Sequence, residues 1–309
     1  MNTKQEIIGS RMEIIPEELI IEIFSNLPPD DLINMKSVTK ILGKIIRETK
    51  WNHLTVKLQN IISIKYVIGS YQFVNYDFSY SLIPDESVIF LGKCHTLSLE
   101  GCNQITDESV KLLGNCHTLN LCDCGKITNE SVKFLGKCHT LNIGSCEKIS
   151  DESVKLLGNC YLLDISWCNK ITDESVKHLI NCHGLNLTGC KQITDVSVKN
   201  LEKCHTLNLS WCDKITNESV KLLGNCHTLG LSWCNQITDE SVKHLGNCHT
   251  LDLSWCDQIR DESVKLLGNC HSLNLGYCYH ITDASVKHLR NCNTLYLTGC
   301  SKITQKYKR

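Results

Sequence analysis

The sequence predicts an α/β solenoid, with a parallel β-sheet on its concave face and short helices on its convex face, preceded by a small all-α bundle. A cysteine recurs ten times at intervals of 22 residues, from Cys94 to Cys292, and a second cysteine follows each one eight positions later. Leucines alternate with polar residues inside each interval, as at Leu97 and Leu99. The segment before the first copy lacks this repeat. A fixed period of this length indicates stacked units that share one core.

The first half of each repeat predicts a short β-strand. Leu97 and Leu99 alternate with Thr96 and Ser98, which is the two-residue period of a strand with one buried face. Strands of successive repeats would pair about 4.8 Å apart, and each row of leucines would become part of a continuous core. The residues that point away from the leucines would therefore line the concave surface.

The second half of each repeat predicts a short helix. Thr106 is a suitable N-cap residue, and Asp107 places an acid in the first turn, where the helix dipole favours it. Val110 and Leu113 are three residues apart and would face inward together. We expect the helix to run for about two turns and to end at Gly114 in a left-handed conformation.

The segment before the repeats predicts a helical bundle. Pro16 suits the first position of a helix, apolar residues at intervals of three and four continue it, and Pro28 follows its end. Asp30 or Asp31 would cap a second helix, and residues 41–47 predict a third. A bundle of about 40 residues is marginal alone, so it either packs on the repeats or offers an apolar face to a partner. The predicted division is a flexible amino terminus (1–12), the bundle (13–55), a linker and cap of the solenoid (56–83) and the repeat domain (84–309).

Composition narrows the possible partners and compartments. The formal net charge is -1, with 32 Lys and Arg against 33 Asp and Glu, which gives no bulk attraction to nucleic acid or to membranes. The apolar runs are far shorter than the ~18 residues of a membrane span, and the first residues lack the apolar core of a signal peptide. We therefore expect an intracellular protein of the cytoplasm or nucleus, with neither a nucleic-acid nor a membrane partner.

The 21 cysteines are interpreted as packing residues. All except Cys122 occupy the two repeat positions, and buried free cysteine behaves as a small hydrophobe, so reduced thiols that fill the stack are the favoured interpretation. The pair Cys94-His95, which recurs in most copies, suggests a zinc site as the alternative. Zinc needs about four ligands that converge on one point, whereas these residues recur once per layer. Neither a metal nor another cofactor is therefore expected.

Both parts of the chain resemble known families. The amino-terminal segment resembles an F-box, because the family's motif residues occur in order: Ile15-Pro16, Leu27-Pro28, Asp31-Leu32, Val38-Thr39-Lys40 and Trp51. The repeats resemble the cysteine-containing class of leucine-rich repeats, whose mark C-x-x-I-T-D occurs at 102–107 and 234–239. The combination is similar to the F-box/leucine-rich-repeat family. The near-identity of the copies is also similar to repeat proteins of large DNA viruses of amoebae.

This resemblance implies the substrate-recognition subunit of a cullin-RING (SCF-type) ubiquitin ligase. The F-box would dock on the adaptor and, through it, on a cullin, while the repeats would bind the target protein. No catalytic residue is implied, and the sequence contains no nucleophile elbow, phosphate-binding loop or metalloprotease helix. The alternative is a non-catalytic scaffold or inhibitor without a ubiquitin ligase, in which the bundle only caps the solenoid.

Two contact surfaces are predicted. Apolar residues of the bundle are expected to contact the adaptor, unless they form only its core: Pro16, Leu19, Leu27, Pro28, Leu32 and Val38. Target contacts are expected on the concave strand face and at a more variable position beside it: Asn208, Trp211, Trp233, Asp252, Trp255, Asn274 and Tyr277. The aromatic members of this second set, here called the aromatic stripe, are typical of protein interfaces but would also cover the turn after the strand. The sequence leaves binding and packing open.

Overall fold

The structure is a computed structural model that describes residues 16–57 and 61–307. The bundle contains three helices: α1 Glu17–Phe24, α2 Pro29–Met35 and α3 Lys40–Glu48. Strand β1 (Lys50–Lys57), helix α4 (Ile61–Ser70) and strand β2 (Gln72–Asp77) follow. The predicted flexible terminus, residues 1–12, lies outside the described residues.

Each repeat then contributes a three-residue strand and a four-residue helix. The strands are β3 Thr96–Ser98, β4 Thr118–Asn120, β5 Thr140–Asn142, β6 Leu162–Asp164, β7 Gly184–Asn186, β8 Thr206–Asn208, β9 Thr228–Gly230, β10 Thr250–Asp252, β11 Ser272–Asn274 and β12 Thr294–Tyr296. The helices are α5 Asp85–Val88, which continues as a 3-10 turn over Ile89–Leu91, α6 Asp107–Val110, α7 Asn129–Val132, α8 Asp151–Val154, α9 Asp173–Val176, α10 Asp195–Val198, α11 Asn217–Val220, α12 Asp239–Val242, α13 Asp261–Val264 and α14 Asp283–Val286.

In the described chain, one parallel sheet of 12 strands runs from β1 to β12 in sequence order. Equivalent positions pair in successive repeats, so Leu207 lies opposite Leu229. This uniform register puts Leu207, Leu209 and their equivalents on one face, where they are buried except for Leu295 of the last strand, which is half-buried. The predicted solenoid is confirmed.

The bundle and the solenoid share a single hydrophobic core, which extends from Ile20 to Ile303. Trp51 joins them at the start of β1. Its side chain is fully buried, and its Nε1 donates a hydrogen bond to the carbonyl oxygen of Ile46, 2.9 Å away. At a second contact, Lys36 Nζ donates to the hydroxyl of Tyr66 on α4 at 3.1 Å. The bundle therefore covers the first layer of the solenoid.

The sheet begins earlier than the sequence suggested. Strand β1 lies mostly within the predicted bundle segment, and the predicted linker and cap (56–83) contributes α4 and β2. These two strands lack the leucine pattern, since aromatic side chains such as Phe73 and Tyr76 fill the core in place of leucines. For this reason the 22-residue period did not reveal them.

Helix lengths and ends also differ from expectation. Helix α6 is a single turn rather than two, and Gly114 does not adopt a left-handed conformation. A Cβ atom at Gly114 would lie 2.4 Å from the carbonyl oxygen of Phe134, so glycine is needed there because the next repeat approaches closely. In the bundle, α2 begins at Pro29, so Asp30 and Asp31 lie in its first turn and neither is its N-cap.

Among the described helices, none is long and apolar enough to cross a membrane.

Candidate interaction surfaces

Polar side chains at the strand ends shape the turn that follows. The Oδ1 atom of Asn208 accepts a hydrogen bond from the backbone N–H of Ser210 at 3.0 Å, and Asp252 does the same for Ser254 at 2.8 Å. Asn274 accepts from the backbone N–H of Gly276 at 3.0 Å. The three predicted target contacts are therefore half-buried residues at strand ends, and each stabilises the turn that follows it.

The aromatic stripe has an unexpected backbone conformation. Trp211, Trp233, Trp255 and Tyr277 have φ angles of 63°, 61°, 61° and 60°, which lie in the left-handed region. A bulky residue there is rare and costs about 1–2 kcal/mol. Equivalent positions in other repeats hold Gly101, Gly189 and Gly299, also with positive φ. The turn itself therefore requires this conformation, and four consecutive copies place a large ring on it.

Stacking offsets part of this conformational cost. Ring centroids are 4.4 Å apart between Trp211 and Trp233, 4.6 Å between Trp233 and Trp255, and 3.8 Å between Trp255 and Tyr277. Each stacked pair contributes about 0.5–1.5 kcal/mol. The ammonium of Lys191 lies 5.7 Å from the centroid of Trp211, at the end of the stack. The stripe is a continuous, half-buried aromatic surface along the carboxyl ends of the strands.

Two clefts are lined by different members of the predicted target contacts. Trp255, Asn274 and Tyr277 line one cleft of about 280 Å³, to which Tyr296 also contributes. Asn208 lines a different cleft of about 390 Å³ in the middle of the concave face, and Asp252 lines neither of the two. Trp211 and Trp233 also line neither of the two, so the clefts bring together only Trp255, Asn274 and Tyr277 of the predicted target residues.

Sequence reasoning missed a column of stacked imidazoles at the amino ends of the strands. Eight histidines and one tyrosine stack ring on ring, with centroids 4.4–4.7 Å apart: His95, His117, His139, Tyr161, His183, His205, His227, His249 and His271. Partial desolvation and the neighbouring His227 and His271 lower the pKa of His249 below its ordinary value. The 22-residue recurrence of these residues could have predicted the column, because stacked repeats place equivalent side chains next to one another. The described part of the chain has no group of three or more side chains placed to hold a metal ion.

All cysteines of the described residues except Cys122 and Cys292 are buried, and none of them is joined in a disulfide. In the second row of cysteines, Cys102 to Cys300, the thiol donates to a main-chain carbonyl of the preceding repeat, as from Cys124 Sγ to Leu99 O at 3.1 Å. Burial raises the pKa of Cys124 to about 12. The repeat cysteines are therefore packing residues, and those of the second row also donate hydrogen bonds between layers.

The predicted adaptor residues lie at different depths in the bundle. Pro16 and Pro28 are exposed, and Leu19 is 49% exposed. Leu27 and Val38 are half-buried and pack against the core. Leu32 is completely buried and cannot contact a partner in this conformation, because it fills the interior together with the other buried bundle residues. Its role is to support the surface from beneath.

Helix α1 has two apolar faces. Ile20 and Phe24 are each 3% exposed and belong to the core, whereas Leu19 and Ile23 are 49% and 57% exposed. Leu19 and Ile23 are four residues apart and therefore adjacent on the helix surface, with Pro16 one turn before them. We call Pro16, Leu19 and Ile23 the α1 stripe. Sequence reasoning assigned Ile23 only to the helical periodicity, although the residues form two separate i, i+4 rows.

Comparisons with known proteins agree with this geometry. A family model for the F-box domain matches residues 12–54, and one for the leucine-rich repeat matches residues 162–179, 205–224 and 249–268. Neither match bears on a viral source. A search of the curated proteins found no match.

Two solved structures resemble this chain to different degrees. A chain of the crystal structure of the Rad7 and Elc1 complex in yeast has a TM-score of 0.57 and 17% sequence identity, covering 99% of this chain and 93% of that chain. An internalin from Listeria monocytogenes has a TM-score of 0.45 and 17% identity, covering 71% of this chain and 81% of that chain. The first likeness concerns the fold alone.

Proposed function

We propose that this chain, in which an F-box domain precedes leucine-rich repeats, is the substrate-recognition subunit of a cullin-RING ubiquitin ligase. The F-box would dock on the adaptor and, through it, on a cullin, and the repeats would hold the target protein. The α1 stripe is the observation that carries the proposal, because it is an apolar surface that the protein's own core leaves uncovered.

Within residues 16–57 and 61–307, no core contact accounts for the exposure of the α1 stripe. Ile20 and Phe24 already provide the apolar contacts of α1 with the core. Leu19 and Ile23 point elsewhere and lie beside the exposed acids Glu18 and Glu22. Adjacent apolar side chains at the surface of a small domain are typical of a protein-docking site. The adaptor contact is therefore proposed at Pro16, Leu19 and Ile23, with the exposed Pro28 as a further candidate.

Thiol chemistry supports a non-catalytic role for the repeats. The thiolate is the nucleophilic form of cysteine, and burial raises the pKa of Cys116 and Cys168 to about 12. These groups remain protonated near neutral pH. The repeats instead offer a concave face of parallel strands with aromatic side chains beside it, which is a binding surface.

Co-purification tests the adaptor contact. The intact chain, mixed with an SCF-type adaptor and its cullin, or with Elc1, is expected to be retained by at least one of these adaptors. Leu19→Lys combined with Ile23→Lys is expected to abolish retention without unfolding the protein, because both side chains are largely exposed. As the matched control, Leu112→Lys with Leu156→Lys changes two exposed leucines of the solenoid and should leave retention intact. The proposal fails if the wild type binds no adaptor or if the α1 variant binds as well as the control.

The alternative, a scaffold whose bundle only caps the solenoid, also has an observation in its favour. The core passes without a break from the bundle through Trp51 into the repeats. Capping accounts for the buried face of α1 and leaves Leu19 and Ile23 unexplained. Deletion of the bundle would destabilise the protein under either function, so adaptor binding is the measurement that separates them.

A further inference from the structure

The middle of the concave face departs from the pattern of its neighbours. The first strand position is threonine in β4, β5, β8 and β9, but it is Leu162 in β6 and Gly184 in β7. The position before the strand is histidine in most copies and Tyr161 before β6. The third strand position is asparagine in β4, β5, β7 and β8, but Asp164 in β6. These four departures fall on two adjacent strands.

The two apolar departures fit each other. Leu162 is 39% exposed, and its Cδ2 atom would lie 2.5 Å from a Cβ atom added to Gly184. The leucine side chain therefore lies across the glycine, which has to be glycine to leave that room. Tyr161 is 43% exposed and stacks between His139 and His183. Leu162 is thus presented to solvent where most other repeats present a threonine, and Tyr161 where most present a histidine.

Asp164 adds an uncompensated negative charge beside them. Its Oδ1 atom accepts hydrogen bonds from the backbone N–H and the hydroxyl of Ser166 at 2.9 and 2.6 Å. Its Oδ2 atom accepts one from the Asn186 amide at 2.8 Å. No described cationic side chain forms an ion pair with it. Three hydrogen bonds therefore hold the carboxylate in place, and its charge is left for a partner to neutralise.

The concave face of strands β3 to β12 is acidic where it is charged. Among the first and third residues of these strands and the second residue after each strand, the charged side chains are Glu100, Asp164 and Asp252, and none is a lysine or arginine. Leu162, Asp164 and the amides of Asn142, Asn186 and Asn208 line the central cleft of about 390 Å³. A cationic partner is attracted to this surface, whereas a phosphate backbone is repelled.

We propose that this central patch, consisting of Tyr161, Leu162, Asp164 and Gly184, binds an extended peptide segment that carries a lysine or arginine next to an apolar side chain. The cationic group pairs with the Asp164 carboxylate, and the apolar side chain packs on Leu162 and Tyr161. The amides that line the cleft offer donors and acceptors to the peptide main chain. This inference rests on the proposed function only in that the segment would belong to the target protein.

The chain itself supplies variants that erase the patch. Asp164→Asn installs the residue of the neighbouring repeats and keeps an acceptor for the Ser166 N–H, as Asn142 does for Gly144. The pair Leu162→Thr and Gly184→Thr likewise restores the repeat pattern and removes the leucine that would collide with a new Cβ atom. Both variants are expected to melt within a few degrees of the wild type. Asp123→Asn removes an exposed carboxylate outside the patch and serves as the charge control.

The test is a selection of random 12-residue peptides, displayed on phage, by the intact chain. Selected sequences are expected to be enriched in lysine or arginine next to an apolar residue. A synthetic peptide of the selected sequence is expected to bind roughly tenfold more weakly to Asp164→Asn, equivalent to about 1.4 kcal/mol. It should also bind more weakly to the threonine pair, and with unchanged affinity to Asp123→Asn.

Three outcomes would overturn the inference: no peptide is selected, the selected peptides lack a cationic residue, or the patch variants bind the peptide as tightly as the control. Adaptor retention, measured on the same variants, keeps the two proposals separate. Patch variants that lose the peptide and keep the adaptor support both. A wild type that binds peptides but no adaptor refutes the ligase function and leaves the peptide site intact.

Discussion

Each buried cysteine of the second row suits its position because a thiol is small, apolar and a weak donor. Cys146 Sγ lies 3.3 Å from the carbonyl oxygen of Leu121 in the preceding repeat, and burial raises the pKa of Cys168 to about 12. A leucine would be too large, and an alanine would leave that carbonyl without its thiol donor. Recurrence alone predicted the burial of these residues, but the hydrogen bond depends on how one layer sits on the next.

Thiol accessibility can be measured directly. In the folded protein at pH 8, iodoacetamide is expected to label Cys122 and Cys292, because they are only half-buried, and to leave the other cysteines unmodified. Cys122→Ser is expected to remove one of the two labelled sites and to fold normally, since Ser210 and Ser232 occupy the equivalent position. Mass spectrometry after short labelling counts the adducts. Rapid modification of the repeat cysteines in the native state would contradict their burial.

Backbone conformation in the aromatic stripe leads to a second expectation. Trp233→Gly loses stacking on two neighbours but relieves the left-handed strain, so its free energy of unfolding should stay within about 1 kcal/mol of the wild type. Trp233→Ala loses the stacking and keeps the strain, and it should be less stable than the glycine variant. Urea unfolding of both variants provides the measurement. An alanine variant more stable than the glycine variant would show that the left-handed conformation carries no cost.

The sequence predicted which position forms the aromatic stripe, but not its backbone. Tryptophan has no local preference for positive φ, so no propensity points to that conformation. The glycines at the same position of other repeats were the available signal. The central patch is a similar case. The sequence shows that Leu162 and Gly184 depart from the repeat pattern, but only the pairing of β6 with β7 shows that the leucine lies across the glycine.

Between elements, the helices are linked by carboxylates and amides at the first helical position. Asp195 accepts hydrogen bonds from the backbone N–H and hydroxyl of Thr216 at 3.0 and 2.6 Å and from the hydroxyl of Ser219 at 2.5 Å. Burial by itself would raise the pKa of Asp195, but the hydroxyls of Ser219 and Thr216 and the Thr216 N–H outweigh it and lower the pKa. The sequence predicted that this acid would stabilise its own helix through the helix dipole. In the structure, its carboxylate accepts hydrogen bonds from residues at the start of the next helix.

Substitution of Asp195 separates these two roles. Asp195→Ala leaves three donors of the next repeat without their acceptor and is expected to cost about 2 kcal/mol of unfolding free energy. Asp195→Asn should cost much less, because Asn217 naturally accepts from the Thr238 N–H at 2.9 Å and the Ser241 hydroxyl at 2.7 Å. Urea denaturation followed by circular dichroism gives both values. Equal losses for the two variants would contradict the inter-repeat role.

A pH dependence follows from the same group. Because the pKa of Asp195 is lower in the folded state, the unfolded state takes up its proton first as the pH falls. The stabilisation is complete above the ordinary carboxylate pKa of about 4 and is lost as the pH falls through the folded value. The difference in stability between wild type and Asp195→Asn should therefore shrink toward pH 3.

Over the whole molecule, His249 in the imidazole column extends the pH response to milder conditions. The pKa of His249 is lowered in the folded state, so the unfolded state binds its proton more readily, and stability should fall as the pH drops through about 6.5. We expect the melting temperature to be lower at pH 5.5 than at pH 7.5. His249→Asn, the residue that ends the series at position 293, should reduce this difference. A pH-independent melting temperature over this range would contradict the expectation.

The fold as a whole was the most predictable feature. Period and leucine alternation gave the parallel sheet, and the family motif gave the bundle, because both signals are local and repeated. The first two strands and the passage of the core through Trp51 were not predictable, since they depend on aromatic residues outside the period. The protein is thus one continuous stack with two separate candidate surfaces. The α1 stripe lies on the amino-terminal bundle, and the central patch lies on the concave face.

The amino-terminal bundle is proposed to carry an adaptor site distinct from the core. Calorimetric titration of the intact chain with an SCF-type adaptor tests this most directly. We expect one-to-one binding, weakened more than tenfold by Leu19→Lys with Ile23→Lys at an unchanged melting temperature. The proposal is contradicted if the adaptor does not bind, or if the α1 variant binds it with the affinity of the wild type.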